Sequence, residues 1–525
     1  MISPKSDATD RGKTLILAAI CLAAIVLPLS FSGGAVATPA ISRDLGGSPV
    51  ALTWITNAFM LSFGSLLMAA GTLADQLGRK RLFASGMALF VASSLALTIA
   101  PSVIWLDVLR AVQGIAAAGA LASGSAALAQ EFDGHARTRA FSMLGTSFGV
   151  GLAFGPVLAG WLIASFGWRS IFLLIAAIGG VALLFGVPRM RETRDPNATG
   201  LDWPGTVTFT AALVFLTFGI IQGPESGWAH PIVVALLTGS VLLFVAFVAI
   251  ETHVTRPMLD LSLFRYPLFV GVQVLPIGTC YCYIVLVVVL PLRFIGIDGL
   301  SEMQAGLLML ALSSPMLVVP VLAAKLTRWI SAGVLSGVGF LVAALGLYWL
   351  SQIGATGSMH LMVMPMLMIG IGTGMPWGLM DGLSVSVVPI ARAGMATGIF
   401  STTRVAGEGI ALAVVSALLA GFMQVGLHHT LPSANAADLA VAAQRLAAGD
   451  LIHASAMLPY AGIPVLKASY VDAFRRILHL LAVITGICAV VVLAFLGRAQ
   501  GVQDSSNEPL LIAGKTETAI DGIEG

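Results

Sequence analysis

Long apolar stretches alternate with short polar turns along most of the 525-residue chain. Most of the stretches reach the roughly 20 residues that an α-helix needs to cross the hydrocarbon core of a bilayer. The pattern therefore predicts an all-α polytopic membrane protein with about fourteen transmembrane helices. The predicted helices cover residues 15–41, 51–73, 82–100, 103–130, 140–165, 170–187, 207–221, 232–250, 268–294, 304–324, 333–350, 361–388, 395–423 and 474–496.

The predicted helices fall into groups of six, two and six. A charged, proline-containing segment follows the sixth helix, and a second polar turn follows the eighth. Because the two middle helices carry few ionisable groups, we expect them to pack at the side of the assembly. The predicted segments are an N-terminal tail (1–13), a six-helix bundle (14–187), a linker (188–205), a two-helix insert (206–251), a second six-helix bundle (252–497) with a long external loop (426–471), and a C-terminal tail (498–525).

The composition supports this class: 58% of the residues are apolar and 10% are charged, whereas soluble domains carry about a quarter charged residues. The net charge of +2 is spread over short turns and gives no indication of nucleic-acid binding. The first apolar stretch has no small-residue cleavage site and is followed by further spans, so we expect it to be a helix rather than a signal peptide. All four cysteines, Cys21, Cys280, Cys282 and Cys488, lie in apolar stretches and are predicted to be buried thiols, with no disulfide framework or metal site.

Basic residues concentrate in the short turns on one side of the predicted helices. By the positive-inside rule, that side and both termini are expected to be cytoplasmic, which corresponds to a multi-pass protein of the cytoplasmic (inner) membrane. The basic residues of this side are Arg79, Lys80, Arg81, Arg137, Arg139, Arg189, Arg191, Arg194, Arg256, Arg265, Lys325, Arg328, Arg392 and Arg498.

The turn between the second and third predicted helices reads GTLADQLGRKR at residues 71–81. Gly71 allows another helix to approach closely, and Gly78 permits a sharp reversal of the chain. Asp75 is unusual, because a carboxylate at the end of a membrane helix is costly unless a cation or a helix N-terminus compensates it. The alternative is a basic membrane turn with an incidental aspartate.

The spacing of this turn closely resembles GxLxDxxGRKxx, the loop 2–3 signature of the major facilitator superfamily, and every defining position is present. In that family the loop latches the cytoplasmic side of the two halves and takes part in the conformational cycle. The resemblance implies a major facilitator fold of two six-helix bundles. It assigns the latch role to Gly71, Asp75, Gly78, Arg79 and Lys80.

Arg110 lies in the fourth predicted helix, about one or two turns inside the bilayer, in the sequence LDVLRAVQG at residues 106–114. A buried guanidinium needs a counter-ion, backbone carbonyls or water. The sequence resembles the RxxQG signature of the same family, in which the arginine is implicated in proton transfer. The alternative is a structural arginine bonded to neighbouring carbonyls.

The fifth predicted helix carries glycines at helical spacing, which allow helices to pack closely, and a proline that bends it. The run resembles the GxxxGPxxGG motif that marks antiporters of the superfamily, with Ala159 where the first glycine of the final pair is expected. Ordinary small-residue packing is the alternative and suits a symporter equally well. The residues assigned to this antiporter motif are Gly151, Gly155, Pro156 and Gly160.

The six-two-six arrangement, the end of the first helix, and Trp54 and Asn57 resemble the fourteen-helix drug:proton antiporter branch of the superfamily. We take Trp54 and Asn57 as substrate-binding candidates. That branch often has an aspartate about nine residues before the proline that corresponds to Pro39, but Ser30 stands at this position. The proton carrier is therefore expected elsewhere in the chain.

The twelfth predicted helix contains glycines, prolines and Asp381, which we place near the middle of the membrane. Trp377 lies four residues earlier and is expected on the same face. An aromatic plane beside a carboxylate suits a lipophilic cation, and Met375 adds deformable apolar surface. Trp377, Asp381 and Met375 are thus substrate-binding candidates, although methionine-rich faces also occur in ordinary cores.

An antiporter needs a group that is buried enough to become protonated near neutral pH and that also reaches the substrate path. Asp381 is predicted to meet both conditions. Glu408, in the thirteenth helix, lies four residues after Arg404, which is expected to hold it ionised. Asp381, Glu408 and Arg110 are therefore the proton-coupling candidates, with Asp381 preferred and a structural ion pair predicted for Glu408.

The sequence predicts a proton-coupled antiporter that exports lipophilic, often cationic, small molecules by alternating access. Its expected partners are the small-molecule substrate, protons and the lipid bilayer, and no nucleic acid, protein partner, cofactor, metal or enzymatic activity is expected. One alternative is a carrier, in either direction, for one specific metabolite. An alternative of another class is a non-transporting membrane receptor or scaffold built on the same fold.

Overall fold

The computed structural model describes residues 4–132, 134–194, 202–254, 257, 259–354, 360–388 and 393–497, and these residues form helices joined by short turns, without a strand. Short 3₁₀ segments, Val187–Arg189 and Leu261–Arg265, flank the middle pair of helices. The helices are α1 (Pro4–Leu45), α2 (Pro49–Leu77), α3 (Arg79–Thr98), α4 (Val103–Glu131), α5 (Gly134–Phe166), α6 (Arg169–Gly186), α7 (Trp203–Ser226), α8 (Pro231–His253), α9 (Pro267–Ile297), α10 (Glu302–Leu326), α11 (Ala332–Ser351), α12 (His360–Ser386), α13 (Ala393–Thr430), α14 (Ala436–Ala447), α15 (Leu451–Met457) and α16 (Ile463–Leu496).

Fourteen of these helices, all except α14 and α15, are long and apolar enough to cross a membrane, which confirms the predicted all-α polytopic fold.

Local sequence explains how neighbouring helices begin and end. Ser48 caps α2 by accepting a hydrogen bond from the backbone nitrogen of Ala51, and Pro49 occupies the first helical position. Gly78 ends α2 with φ of +107°, a conformation that favours glycine.

Three predicted boundaries are wrong, each because a helix continues beyond the apolar stretch. Helix α1 begins at Pro4 rather than after the polar tail 1–13. Helix α13 extends to Thr430 and α16 begins at Ile463, so the loop predicted at 426–471 is shorter and contains α14 and α15. Backbone hydrogen bonding continues into polar residues once a helix is established, so the limits of hydropathy do not mark the ends of a helix.

The six helices α1–α6 form one half of the molecule, and α9–α13 with α16 form the other. The halves meet along two helix pairs, α2 with α13 and α5 with α10. A Cβ atom at Gly64 would collide with the backbone nitrogen of Ala406, and one at Gly160 would collide with the carbonyl oxygen of Glu302. Glycine at these crossings therefore allows backbone-to-backbone packing between the halves.

The insert helices α7 and α8 pack against each other, and α7 covers the seam between α2 and α13. The ring of Trp54 in α2 lies 5.4 Å from that of Phe218 in α7. The insert thus lies at the side of the molecule, as expected. However, Ile221 and Pro224 of α7 also line a cleft between the halves, so the insert is not wholly separate from that space.

The two ends of the helix assembly carry different elements. We call the end that holds α14 and α15 the loop face, and the end that holds Lys13 and Leu496 the terminal face. At the loop face, Arg43 of α1 pairs with Glu302 of α10, and Nη1 of Arg445 donates to the carbonyl oxygen of Gly47 at 3.0 Å. The halves are therefore linked directly across this face.

Toward the terminal face, three glycines have no described atom close beside them. A Cβ atom at Gly71 of α2, Gly145 of α5 or Gly382 of α12 would meet no described atom within 4 Å. Among the described residues, the polar contacts named here between the halves thus lie at the loop face.

Candidate functional site

The most deeply buried charge of the first half is Arg110 of α4, whose side chain is fully buried two turns from the loop-face end of that helix. Its Nε donates to the carbonyl oxygen of Ile55 at 2.9 Å. Its Nη1 donates to Ser30 Oγ at 2.7 Å and to Gln113 Oε1 at 2.5 Å. Its Cζ lies 4.4 Å from the ring centre of Phe59, so a cation–π contact adds to the hydrogen bonds.

The hydrogen-bond network continues from Arg110 to other helices. Gln113 Nε2 donates to Ser94 Oγ of α3 at 2.7 Å, and the Ser94 hydroxyl donates to the carbonyl oxygen of Phe90 at 2.6 Å. Helices α1, α2, α3 and α4 are thus connected through one guanidinium and one amide. Nη2 of Arg110 is buried and makes no hydrogen bond among the residues that the structure describes.

Asp107 is a functional candidate that the sequence pattern alone did not single out. It lies three residues before Arg110 on α4 and contributes the nearest opposite charge. Its Oδ1 atom is buried and has no hydrogen-bond partner in the described part of the chain. The spacing of Asp107 and Arg110 along one helix face was the signal that could have identified it.

In the second half, Glu408 of α13 is only 7% exposed. Its carboxylate forms no ion pair with a described residue, although the charge of Arg404, one turn earlier on α13, acts on it. The π-helical segment Cys280–Ile284 of α9 packs at this level, where Cys280 Sγ lies 3.8 Å from the carbonyl oxygen of Arg404. Glu408 is therefore a buried acid about four turns from the terminal-face end of α13.

The prediction that Arg404 pairs with Glu408 is wrong. Nη1 of Arg404 lies 3.3 Å from Oδ1 of Asp381 instead. The predicted location of Asp381 is also wrong: it lies near the terminal-face end of α12, and its side chain is 57% exposed rather than buried in mid-membrane. Only about one turn of α12 follows Asp381, so this residue lies close to the end of the span.

Trp377 and Met375 are both in contact with neighbouring helices of the second half. Trp377 is buried, with its ring 6.4 Å from that of Tyr283 in α9. Met375 packs at the α11–α12 crossing, next to Gly339. The cation-binding face of Trp377, Asp381 and Met375 stays a prediction.

The latch residues of the loop 2–3 signature are held within the first half. Asp75 Oδ1 accepts hydrogen bonds from Nε and Nη2 of Arg79 at 3.1 and 2.7 Å. Gly78 packs against the carboxylate of Glu192, and the backbone nitrogen of Arg79 donates to the carbonyl oxygen of Thr193 at 2.9 Å. The segment after α6 thus fixes the turn.

The remaining latch positions, Gly71 and Lys80, are half-buried at the same end of the molecule. Residues 389–392, which include Arg392 and immediately precede α13, lie outside the described residues.

The glycines of α5 face two different neighbours. Cβ atoms at Gly151 and Gly155 would collide with Ile25 and Ser32 of α1, whereas Gly160 faces α10 of the other half. Pro156 lies inside α5, and its carbonyl oxygen would be 3.1 Å from a Cβ atom at Gly306 of α10. The motif therefore forms packing surfaces both within the first half and between the halves.

Trp54 and Asn57 lie in the loop-face half of α2. Asn57 is 2% exposed and lines a cleft bounded by α1, α2, α7, α9, α13 and α14. Trp54 instead faces α7 through its contact with Phe218. Of these two candidates, only Asn57 is thus at a cavity between the halves.

The described residues offer hydrogen-bonding and ionisable groups inside the helical assembly. Within the described ranges, His, Cys, Asp and Glu form no cluster of three or more that could hold a metal ion. The four cysteines are free and buried, as predicted. Buried ionisable groups inside a membrane fold mark ion or substrate pathways, and here they lie in both halves.

Two helical halves that meet along paired helices, with a buried ionisable group in each, are the architecture of a membrane transporter. The chain belongs to the Major Facilitator Superfamily, whose family model matches residues 20–412.

Comparisons with individual proteins agree. The chain is 29% identical over 427 residues to "Multidrug resistance protein Stp" of Mycobacterium tuberculosis, covering 81% of this chain and 79% of that protein. It is 32% identical over 430 residues to "Cephamycin export protein CmcT" of Amycolatopsis lactamdurans, covering 78% and 86%.

A solved structure of a bacterial homologue of the human lysosomal transporter Spinster, in an inward-facing and unoccupied conformation, has a similar fold. The TM-score is 0.61 at 16% sequence identity, with 94% of this chain and 98% of that chain covered. At this identity the likeness concerns the fold alone.

Proposed function

We propose that the protein exports lipophilic small molecules, including cations, across the cytoplasmic membrane in exchange for protons. The observation that carries this proposal is the placement of buried ionisable groups, Arg110 in one half and Glu408 in the other, with the half-buried Asp107 beside Arg110. The names of the relatives, which refer to multidrug resistance and to export, support the direction of transport.

In this proposal the terminal face is cytoplasmic and both termini lie inside, because the short turns at that face carry most of the basic residues. The described conformation is then open toward the cytoplasm and closed toward the exterior by the contacts of Arg43 with Glu302 and of Arg445 with Gly47. The opposite state requires these contacts to break and the loop 2–3 turn to latch the terminal face.

Glu408 is the proton-coupling acid in this proposal, in place of Asp381. Glu408 is buried and lacks a polar partner among the described residues, whereas Asp381 is exposed and ion-paired with Arg404. A carboxyl group without fixed partners can bind a proton or a cation in turn as the halves move. Arg110 holds four helices of the first half together while Asp107 provides a second acid beside it.

The experiment is transport by the purified protein in proteoliposomes with an imposed pH gradient, with tetraphenylphosphonium as the probe. We expect movement of the cation against the direction of proton flow, abolished by a protonophore. Transport that needs no pH gradient would contradict proton coupling. Absence of any transport of this cation and of neutral drugs would contradict the export function itself and favour a carrier of one metabolite or a receptor.

A further inference from the structure

The cleft beside Asn57 has polar groups but no charged ones. It lies between α2 and α13, is closed on the lipid side by α7, and is covered at the loop face by Gln444 and its neighbours at the end of α14. Its volume is about 60 Å³ in this conformation. No acidic or basic side chain of the described chain lines it, although apolar residues alternate with threonine, serine, asparagine and glutamine.

Asn57 lines this cleft and holds an unused hydrogen-bond acceptor. Its Nδ2 donates to the carbonyl oxygen of Thr53 at 3.0 Å, which fixes the amide orientation because the opposite orientation would place two oxygens in contact. Its Oδ1 is buried and accepts no hydrogen bond from any described residue. An asparagine that is 2% exposed and holds a free acceptor is costly unless a ligand or water completes it.

Gln444 of α14 supplies a second unused polar group. It is 7% exposed, and its Nε2 is buried without a hydrogen-bond partner within the described ranges. The next residue, Arg445, donates to Gly47 of the other half and pairs with Asp450 at 3.1 Å. These contacts hold α14 in place above the cleft, so Gln444 occupies a defined position rather than the tip of a free loop.

We propose that this cleft is a substrate subsite for neutral lipophilic molecules that carry hydroxyl or amide groups, and that α14 contributes to it through Gln444. The inference rests on the proposed export function and specifies a substrate class and a site on the loop face. Asn57 Oδ1 accepts a hydrogen bond from a ligand hydroxyl or N–H group, and the Gln444 amide donates to a ligand oxygen. A charged ligand group would lose its hydration without a counter-charge in this lining.

The small volume of the cleft determines in which conformation a ligand can occupy it. A volume of about 60 Å³ admits a few water molecules but not a whole drug. A ligand therefore occupies the subsite only when the halves separate at the loop face. Binding to the wild-type protein at equilibrium samples that state, because a ligand shifts the population toward the conformation that it prefers.

The test is equilibrium binding to the full chain in nanodiscs, without a pH gradient. Chloramphenicol and hydrocortisone serve as neutral probes with hydroxyl groups, and tetraphenylphosphonium serves as a cation without hydrogen-bonding groups. The variants are Asn57→Leu and Gln444→Leu, which remove the amides at similar side-chain size. Asp438→Asn, at an exposed position of the same helix α14, is the matched control.

We expect each Leu variant to weaken binding of the neutral probes at least tenfold while binding of tetraphenylphosphonium changes less than twofold, which also shows that the variants fold. The control should bind all three as the wild type does. Equal loss for all three probes, unchanged binding of the neutral probes, or no binding of them by the wild-type protein would each overturn the proposal. Because binding is read without a gradient, failure of proton-driven export would contradict the proposed function separately.

Discussion

The hydroxyl of Ser30 accepts a hydrogen bond from Nη1 of Arg110 at a distance of 2.7 Å. Ser30 occupies the position at which the fourteen-helix antiporter branch often has an aspartate. Ser30 is therefore a direct hydrogen-bond partner of the buried guanidinium. Its hydroxyl also lies 3.1 Å from Gln113 Oε1, so it closes a triangle of polar groups between α1 and α4.

This relationship predicts the effect of two substitutions at position 30. Ser30→Ala removes one partner of Arg110 and should destabilise the protein by about 1–3 kcal/mol, the cost of leaving a buried polar group unmatched. Ser30→Asp should be more stable than Ser30→Ala, because a carboxylate offers acceptors both to Nη1 and to the unpartnered Nη2. Thermal unfolding of the purified variants, followed by tryptophan fluorescence, measures the order. An aspartate variant that unfolds below the alanine variant would show that the site cannot accommodate a carboxylate.

The second prediction concerns the proton-coupling acid. Glu408→Gln should abolish substrate-induced proton release, because it removes the buried titratable group while keeping its size. Asp381→Asn should retain the release, because Asp381 is exposed and already paired with Arg404. Proton release on adding tetraphenylphosphonium to each purified variant in weakly buffered detergent is the measurement.

Asp381→Asn serves as the matched control, since it also replaces an acid near Arg404 by its amide. Release retained in the Glu408 variant and lost in the Asp381 variant would restore the assignment made from the sequence. Loss in both variants would indicate that Arg404 couples the two acids.

The contrast between these two acids shows which features the sequence could predict. Hydropathy determines where helices lie, because a spanning segment must be apolar along its length, so the fourteen spans and the two halves were predictable. Whether a side chain near a helix end is exposed depends on where the neighbouring helices stop. That information is tertiary, and it explains why Asp381 was placed too deep and Glu408 was assigned the wrong partner.

The candidate site shows the same limit. The position of Arg110 inside the fourth apolar stretch predicted a buried guanidinium, and the structure places it there. Gln444 could not have been found in this way, because it lies in a loop segment whose path over the cleft depends on contacts of Arg445 with Gly47. Asn57 and Gln444 are far apart in the sequence, so their position at the same cavity could not be predicted from it.

The third prediction concerns the loop 2–3 turn. Asp75→Asn should reduce transport to less than about a tenth of wild type, because the proposed latch of the terminal face needs its negative charge. Stability should change little, because a half-exposed ion pair such as that of Asp75 with Arg79 contributes only about 0–1 kcal/mol. Transport in proteoliposomes, together with the amount of protein extracted from the membrane, tests both parts.

Glu192→Gln is the control for this turn. Glu192 approaches the same turn through Arg81, at 3.5 Å, but belongs to the same half of the molecule. Its loss should leave transport largely intact. Normal transport by the Asp75 variant, or equal loss in both variants, would count against a latch between the halves.

The fourth prediction uses two glycines of α5 that differ in their surroundings. Alanine in place of glycine within a helix is intrinsically favourable by roughly 0.5–1 kcal/mol. A methyl group at Gly145 would have no described atom within 4 Å, whereas a methyl group at Gly160 would collide with the carbonyl oxygen of Glu302 in α10. Gly145→Ala should therefore raise the unfolding temperature, and Gly160→Ala should lower it, since overpacking costs typically about 1–3 kcal/mol.

The same two variants test whether the α5–α10 crossing controls closure of the loop face. Because Gly160 lies where the halves meet at the loop face, its alanine variant should also favour separation of the halves there. Accessibility of a cysteine introduced at Ser416, which lines the cleft, to a membrane-impermeant maleimide reports that separation. We expect faster labelling in the Gly160→Ala background than in the Gly145→Ala background. Equal labelling and equal unfolding temperatures would mean that the α5–α10 crossing accommodates a methyl group at Gly160 without loss of stability. They would also mean that this crossing does not control closure of the loop face.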